Sequence, residues 1–578
     1  MRRPYITMLI LVSLLLGGVQ EYLYQRSAWL AGKNRGLIEF RSAQSISISN
    51  YFAWKYMPTI VLVTYGVLWQ IVDYEVKRLE PYYQLSKPDG ALAAHSLNLD
   101  YLTYWSYLAP VKALRYRQWA VVSSSVATLL AGGLVPTLQS ASVTLYPDSK
   151  NRRVNELKFV RINPIWSRLL TTSLVLVAVL GLILMLQLRR RSGLLSDPKG
   201  IAGIAAMAQK SHILMDFSGL DTAKPDVIHQ KLRYQRYILY KSCFWQGEYV
   251  GHDTDEPGIV PNANHHNPHP PMLRLKAGIP FIAFMIIVMI LIPVFTFTSA
   301  NIVTEKLPFL FTAMAVLIKL SWGTLECDVR MIEPFYILSK RNAPPKTLTL
   351  DYTGTVPGYI IFHSLINKHF LISLVGIGAI ATEVLTVCVS SFAVKGSDFF
   401  PAHNNNNNNT TTPAAADHSL THSLFARLPQ ALSTSPNMNT TAPDPRQQLG
   451  GDQTVRSFWI SFSLAQLILL FLILAATLVY LRRRHAFLPR QPNTIASILA
   501  FIHQSTMLWQ FIDTERMDSR TMTQHLTALG QTYGLGVFRG RDGEDHCGVD
   551  REPLISDYRH GHKYDFARQN RVENWEVL

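Results

Sequence analysis

The sequence predicts an all-α membrane protein: eight transmembrane helices built as two parallel four-helix repeats, with cytosolic helical segments and a disordered outer loop. Three observations lead there. Eight stretches are apolar and close to the length that spans a bilayer, the polar sequence after the second stretch recurs after the sixth, and basic residues gather on alternate sides of the pattern. Composition agrees. Of 578 residues, 48% are apolar and 16% charged, with a formal net charge of +16 and a mean hydropathy of +0.10. Soluble proteins carry about 25% charged residues, so this chain is read neither as a soluble multi-domain enzyme nor as a disordered tail. The basic excess lies beside apolar runs, which points to membrane orientation and away from nucleic acid.

A spanning helix needs about 20 mainly apolar residues, because the hydrocarbon layer is ~30 Å thick and a helix rises ~1.5 Å per residue. The runs are 5–24, 53–73, 118–138, 167–188, 277–300, 307–325, 369–394 and 457–481. Backbone polar groups cannot stay bare in lipid, so each run is expected to be helical. The first also reads as a signal peptide, MRRPY before ITMLILVSLLLGG, but no A-x-A site follows and an uncleaved anchor is preferred. The domains expected are a first membrane repeat (1–191), a cytosolic segment (192–276), a second membrane repeat (277–484) and a cytosolic C-terminal tail (485–578).

Orientation follows from Lys and Arg. With the N-terminus in the cytosol, the cytosolic pieces hold 38 of these residues and the outer pieces 15. The triplets Arg189–Arg191 and Arg482–Arg484 abut the ends of the fourth and eighth runs and are read as stop-transfer anchors. Both termini are then cytosolic, in a plasma or secretory-pathway membrane. The outer loop 395–456 is rich in Asn, Thr and Pro and cannot bury a core, so it is expected to be disordered. Its sequons at Asn408, Asn409 and Asn439 make it a candidate for glycosylation.

The repeat is the most informative feature. YEVKRLEPYYQLS (74–86) matches CDVRMIEPFYILS (327–339), and SLNLDY (96–101) matches TLTLDY (347–352). A basic residue and an aromatic open the next run in each half, Arg117/Trp119 and Lys368/Phe370. After the Arg triplets come PKGIAGIAAMAQKS (198–211) and PNTIASILAFIHQS (492–505). Four helices per copy give parallel repeats, related by a pseudo-two-fold axis along the membrane normal. Proline disfavours helix in the residue before it, so Glu80-Pro81 and Glu333-Pro334 are expected to break their helices just past the cytosolic face. Tyr82, Tyr83, Phe335 and Tyr336 would then sit in an aromatic belt. Neither glutamate is read as catalytic, since no second acid, histidine or nucleophile is read as accompanying it in both copies. Ile201, Ile204, Ala208 and Met215, matched by Ile495, Ile498, Ile502 and Trp509, suggest one apolar helical stripe. Each such helix would lie on the membrane or pack on its counterpart.

The hydrophobe-Glu-Pro-aromatic-Tyr-x-Leu-Ser element, the downstream Leu-Asp-Tyr and the basic-aromatic helix start resemble the fungal multi-pass proteins built on domain of unknown function 3433. Both copies carry the pattern, at 57–138 and 307–393. The resemblance implies a fungal integral membrane protein. That family has no assigned activity, substrate or catalytic residue, so it adds no site.

Charge within an apolar run costs at least ~2.5–3.5 kcal/mol per residue at a helix centre and points to function by default. Lys319 and Glu383 lie at similar depth on antiparallel helices and are expected to form an ion pair. In the first copy they align with Gly66 and Gly132. His265, His266 and His269 lie in a Pro/His-rich stretch read as a solvated linker, because no spaced partner closes a metal site. The four cysteines form no C-x-x-C pair and are expected as thiols. No H-E-x-x-H, G-x-S-x-G, P-loop or Rossmann glycine pattern occurs. No cofactor or metal is expected. The favoured function is a non-enzymatic scaffold or surface component whose one implied partner is the lipid bilayer. The alternative is a secondary transporter using Lys319 and Glu383; an enzyme is not expected. The topology has a direct check. Glycosidase digestion of native membranes should raise the mobility of the wild-type chain, and changing Asn408, Asn409 and Asn439 to Gln should abolish that shift. A C-terminus protected from external protease in inside-out vesicles would contradict the orientation.

Overall fold

The structure is a computed structural model that describes residues 3–40, 48–146, 157–250, 268–298, 307, 309–353, 357–390 and 445–562. The sequons Asn408, Asn409 and Asn439, and the loop around them up to residue 444, lie outside the described residues.

Among the described residues, eight helices are long and apolar enough to cross a membrane: Arg3–Ala31, Met57–Leu85, Trp119–Ser142, Pro164–Gln187, Leu275–Phe297, Leu310–Ser339, Phe370–Ser390 and Ser457–Arg482. They are numbered first to eighth below. Their burial divides them. In the second, third, sixth and seventh, 50–61% of the apolar window is buried, against 28–44% in the first, fourth, fifth and eighth. The former make an inner ring and the latter an outer one. The outer helices present Leu11, Leu15, Ile165, Ile290, Leu467 and Leu474 on uncovered faces. Bare apolar surface on this scale is unfavourable in water and costs nothing in hydrocarbon, the pattern of a multi-pass membrane protein. The first helix packs on the fourth and the fifth on the eighth, while the halves meet where the second contacts the seventh and the third contacts the sixth.

The second and sixth helices do not break at Glu-Pro. They run through Pro81 and Pro334 to Leu85 and Ser339. An interior proline removes one backbone bond and costs about 3 kcal/mol in an isolated helix, but here the last turn is held from outside. Arg190 reaches Glu80 at 3.0 Å, and Arg483 pairs with Glu333. Gln84 also donates to Glu80, at 2.5 Å. The middle arginine of each triplet is therefore a tie between the end of one helix and the glutamate of another, not only a membrane anchor. Tyr82 and Phe335 are buried in the core of an extramembrane module and form no aromatic belt. The Arg190 and Arg483 guanidinium groups lie over the rings of Tyr83 and Tyr336, at 5.2 and 3.6 Å.

The extramembrane module corrects the all-helical expectation. Each segment after an Arg triplet carries a helix, a 3-10 turn, a short helix and a β-hairpin. In the first these are Gly200–Ala208, His212–Phe217, Pro225–Lys231 and Gln235–Tyr240 with Cys243–Tyr249. In the second they are Ile495–Ile502, Thr506–Phe511, Ser519–Ala528 and Tyr533–Arg539 with Asp545–Arg551. Lys241 and Ser242 both have positive φ, 48° and 57°, which suits the two-residue turn of a tight hairpin. A further sheet joins Ile38–Phe40, Lys158–Ile162 and Val143–Tyr146 in antiparallel pairs. The two segments share one buried core, and helices 200–208 and 495–502 pack on each other. Each also docks on the other half: Ala202 N–H donates to Leu348 O at 2.9 Å, and Ala496 N–H to Leu97 O at 3.0 Å. The apolar stripe ends with these helices. Met215 and Trp509 fall in the 3-10 turns and are 70% and 60% exposed, because the change of pitch turns them outward.

Removing one partner of a buried ion pair costs about 3–5 kcal/mol, whereas replacing both with apolar groups is often neutral. Glu333→Ala should therefore lower the melting temperature of the purified chain markedly, and Glu333→Leu with Arg483→Met should recover most of it. The same loss in the single and double variants would show that the pair does not hold the helix end. Glu80→Ala should cost less, because the Arg190 side chain is 29% exposed and Arg483 only 4%.

Candidate functional site

Upstream of Glu-Pro the second and sixth helices carry the same residue types at the same distances: Trp69/Trp322, Asp73/Glu326, Glu75/Asp328 and Lys77/Arg330. The tryptophan, the first acid and the base stand at i, i+4 and i+8, one helix face. Both indoles are fully buried and anchor that face. Lys77 Nζ lies 2.6 Å from Asp73, and Arg330 pairs with Glu326. The Ser124 and Ser125 hydroxyls of the third helix donate to Asp73, each at 2.8 Å. An acid does accompany the motif glutamate at fixed spacing in both copies, which corrects the reading that none does.

The structure brings Lys319 and Glu383 together, Nζ to carboxylate at 2.7 Å. Lys319 also donates to Gly132 O at 3.3 Å. Gly132 lies in a π turn, Leu130–Leu134, of the third helix, a widened turn of the kind often found at functional sites. Gly66 and Gly132, aligned with that pair, also meet: a Cβ on Gly66 would stand 2.7 Å from Gly132 Cα. One half thus uses backbone contact where the other uses opposite charges.

These groups surround a cavity of about 200 Å³ between the halves, lined by Asp73, Lys77, Lys319, Glu326, Arg330 and Glu383. Along the sixth helix from Leu310, Lys319 lies ~14 Å and Arg330 ~30 Å distant at the standard rise. A second cavity, about 160 Å³, shares Lys77, Cys327 and Arg330 with the first and continues toward the extramembrane module. It is lined by Asp100 and Asp351 of the Leu-Asp-Tyr motifs. Each aspartate accepts the backbone N–H two residues on, from Leu102 at 3.0 Å and Thr353 at 2.8 Å, which shapes a turn. Each tyrosine hydroxyl bonds the residue before the next apolar helix, Tyr101 to Gln118 and Tyr352 to His369 Nδ1, both at 2.5 Å. The motif thus clamps the turn beside the cavity to the start of the next apolar helix.

The remaining residues singled out from sequence are elsewhere. Glu80, Tyr83, Glu333 and Tyr336 form the helix-end ties, and Pro81 and Pro334 line the second cavity. His265 and His266 lie outside the described residues. His269 is buried, not solvated, and its carbonyl accepts from Arg274 Nε at 2.9 Å and Gln491 Nε2 at 2.8 Å. The described residues contain no disulfide.

The family of proteins of unknown function DUF3433 matches the chain twice, over residues 52–144 and 307–394. The matched stretches contain Asp73, Lys77 and Glu80 and their counterparts Glu326, Arg330 and Glu333, together with Lys319 and Glu383. No curated protein and no solved structure matches the chain.

Lys319→Met leaves the Glu383 carboxylate without its cation and should cost about 3–5 kcal/mol of stability. Adding Glu383→Leu should return most of the loss. Thermal melting of the purified variants checks this, and additive losses in the double variant would mean that the two side chains act independently.

Proposed function

We propose that this is an integral membrane protein of two parallel four-helix repeats, both termini cytosolic, which binds and moves a small zwitterionic or cationic solute through the cavity between them. The observation that carries the proposal is the charged lining of that cavity by equivalent positions of both halves, Asp73 with Lys77 and Glu326 with Arg330. Buried ion pairs add little to stability over well-packed apolar residues. Three of them around an open volume are better accounted for by binding than by packing. Solute sites of secondary transporters lie near the midplane between repeats, and Lys319 and Glu383 sit at about that depth. Each acid of the lining has a cation, Asp73 with Lys77, Glu326 with Arg330, Glu383 with Lys319 and Glu75 with Arg78, so the wall offers charges of both signs, which suits a solute that carries an amine beside an acid.

A second reading keeps the chain as a scaffold or surface component of the plasma or secretory-pathway membrane. It is supported by the single core shared by both extramembrane segments, a body large enough to dock a protein partner. Glycosylation of the outer loop and a fungal source fit either reading.

Screening the purified full-length chain against small amino acids, polyamines and organic cations separates the two. The transporter reading expects at least one solute to raise the melting temperature, and expects that rise to vanish in Asp73→Asn and in Glu326→Gln. It also expects uptake of that solute into proteoliposomes under an ion gradient. A stable protein with neither response would leave the scaffold reading standing.

A further inference from the structure

Far from the intramembrane cavity, three side chains converge where the two extramembrane segments meet. Asp221 comes from the first segment, just after its 3-10 turn. His503 follows helix 495–502 of the second, and His546 lies on strand Asp545–Arg551. All three are buried, at 4%, 2% and 6% exposure. Asp221 Oδ1 lies 3.0 Å from His546 Nδ1 and 3.8 Å from His503 Nε2, and the three ligand atoms all fall within 4.8 Å of one another.

The protons decide what this cluster is for. His503 Nδ1 faces the carbonyl of Ala500 at 3.3 Å, an acceptor only, so it carries the proton of the neutral ring. Its Nε2 then presents a lone pair toward a carboxylate oxygen, buried and with no hydrogen-bond partner. Two electron-rich atoms facing each other in a dry site repel unless a cation stands between them. His546 stands between two carboxylates, its Nε2 2.9 Å from Asp542 and its Nδ1 3.0 Å from Asp221 Oδ1, so with its proton on Nε2 the Nδ1 lone pair faces the cluster. In each histidine the nitrogen remote from the cluster is thus occupied by a backbone carbonyl or a carboxylate. This is the outer support that fixes tautomer and ring orientation in metal-bound histidines.

We propose that Asp221, His503 Nε2 and His546 Nδ1 bind one zinc ion, which ties the first extramembrane segment to the second. Two imidazoles and a carboxylate are a donor set that zinc favours. Zinc bonds of about 2.0–2.1 Å hold tetrahedral ligands about 3.3 Å apart, and the observed 3.0 and 3.8 Å separations bracket that value. The second oxygen of Asp221 or a water completes four ligands. Two cationic side chains stand near, and each turns one nitrogen to carbonyls, while Arg490 Nε and Nη2 are buried with no hydrogen-bond partner. Arg490 donates to Leu220 O and Asp221 O at 2.7 and 2.9 Å, and Arg541 to His503 O at 2.8 Å. The neighbouring trio Asp542, Glu544 and His546 shares one residue with this site, but its Asp542 is the outer support of His546 in the buried arrangement.

The test uses the full-length chain, purified in detergent, stripped with a chelator and titrated with Zn²⁺ alone. The expected result is one zinc per chain by elemental analysis, a zinc-dependent rise in melting temperature, and a four-coordinate visible spectrum when Co²⁺ replaces zinc. Asp221→Asn and His503→Gln should lose all three responses. Asp542→Asn should keep the stoichiometry and weaken affinity about 10–100-fold, as outer-support changes do. Absence of zinc binding by the wild-type chain overturns the proposal. So does unchanged binding in Asp221→Asn and His503→Gln, which would place the metal elsewhere. Should either variant fail to fold, the Co²⁺ spectrum of the wild-type chain decides alone: octahedral, oxygen-only coordination rejects the site.

Discussion

One constraint recurs at the base of each half: a glutamate before a proline must be neutralised where a long helix leaves the apolar layer. Arg190 does this for Glu80 and Arg483 for Glu333. Each tie joins the end of the inner helix that carries the glutamate to the end of the outer helix that carries the arginine. It also places an aromatic ring, Tyr83 or Tyr336, under the guanidinium. Because the tie holds the last turn beyond the proline, Tyr82 and Phe335 are carried into the module core instead of ending at the boundary. The second and sixth helices therefore run directly into the core of the module.

Much of the membrane part was legible. Apolar length alone located eight helices, because the cost of bare backbone in lipid leaves few alternatives. The Lys319–Glu383 contact was legible too, from matched depth and from the glycines that replace both residues in the other half. The acid–base pairs were not seen, although their signal is present. It lies upstream of Glu-Pro, where Trp69/Trp322, Asp73/Glu326 and Lys77/Arg330 stand at equal distances, and where similar charge rather than identical residues is repeated. The helix break at Pro81 and Pro334 was misjudged because local backbone preference was weighed without the arginine that overrides it.

The hairpins were missed for a different reason. Their strands are six or seven residues long. The Lys241-Ser242 turn lacks an Asn-Gly or Asp-Gly signal, whereas the 540–544 loop carries one, Asp542-Gly543, that was passed over because the flanking strand shows no alternation. Strand Tyr533–Arg539 contains two glycines and is buried on both faces over six of its seven residues, so it shows no alternation. Gly536 is needed there: a Cβ would strike the backbone of Ser556. The buried Asp221, His503 and His546 come from three separate elements, and only the hairpin brings the last of them into place.

The two halves differ at one place in a way that bears on the cavity. Where Gly66 and Gly132 meet, the second and third helices touch through their backbones and leave no room. Where Lys319 and Glu383 stand instead, both residues line the open volume, while Gly66 and Gly132 do not. Four charges at those positions, two from each half, would crowd like charges near the axis at a cost that grows in low dielectric. One charged pair opposite one glycine pair avoids this. Lys319 then spends a hydrogen bond on the Gly132 carbonyl of the opposite half, so the single charged pair also sets the register between the halves. The cavity wall and a contact between the halves thus depend on the same lysine, and its environment, more than the matched acid–base pairs, makes the halves unequal.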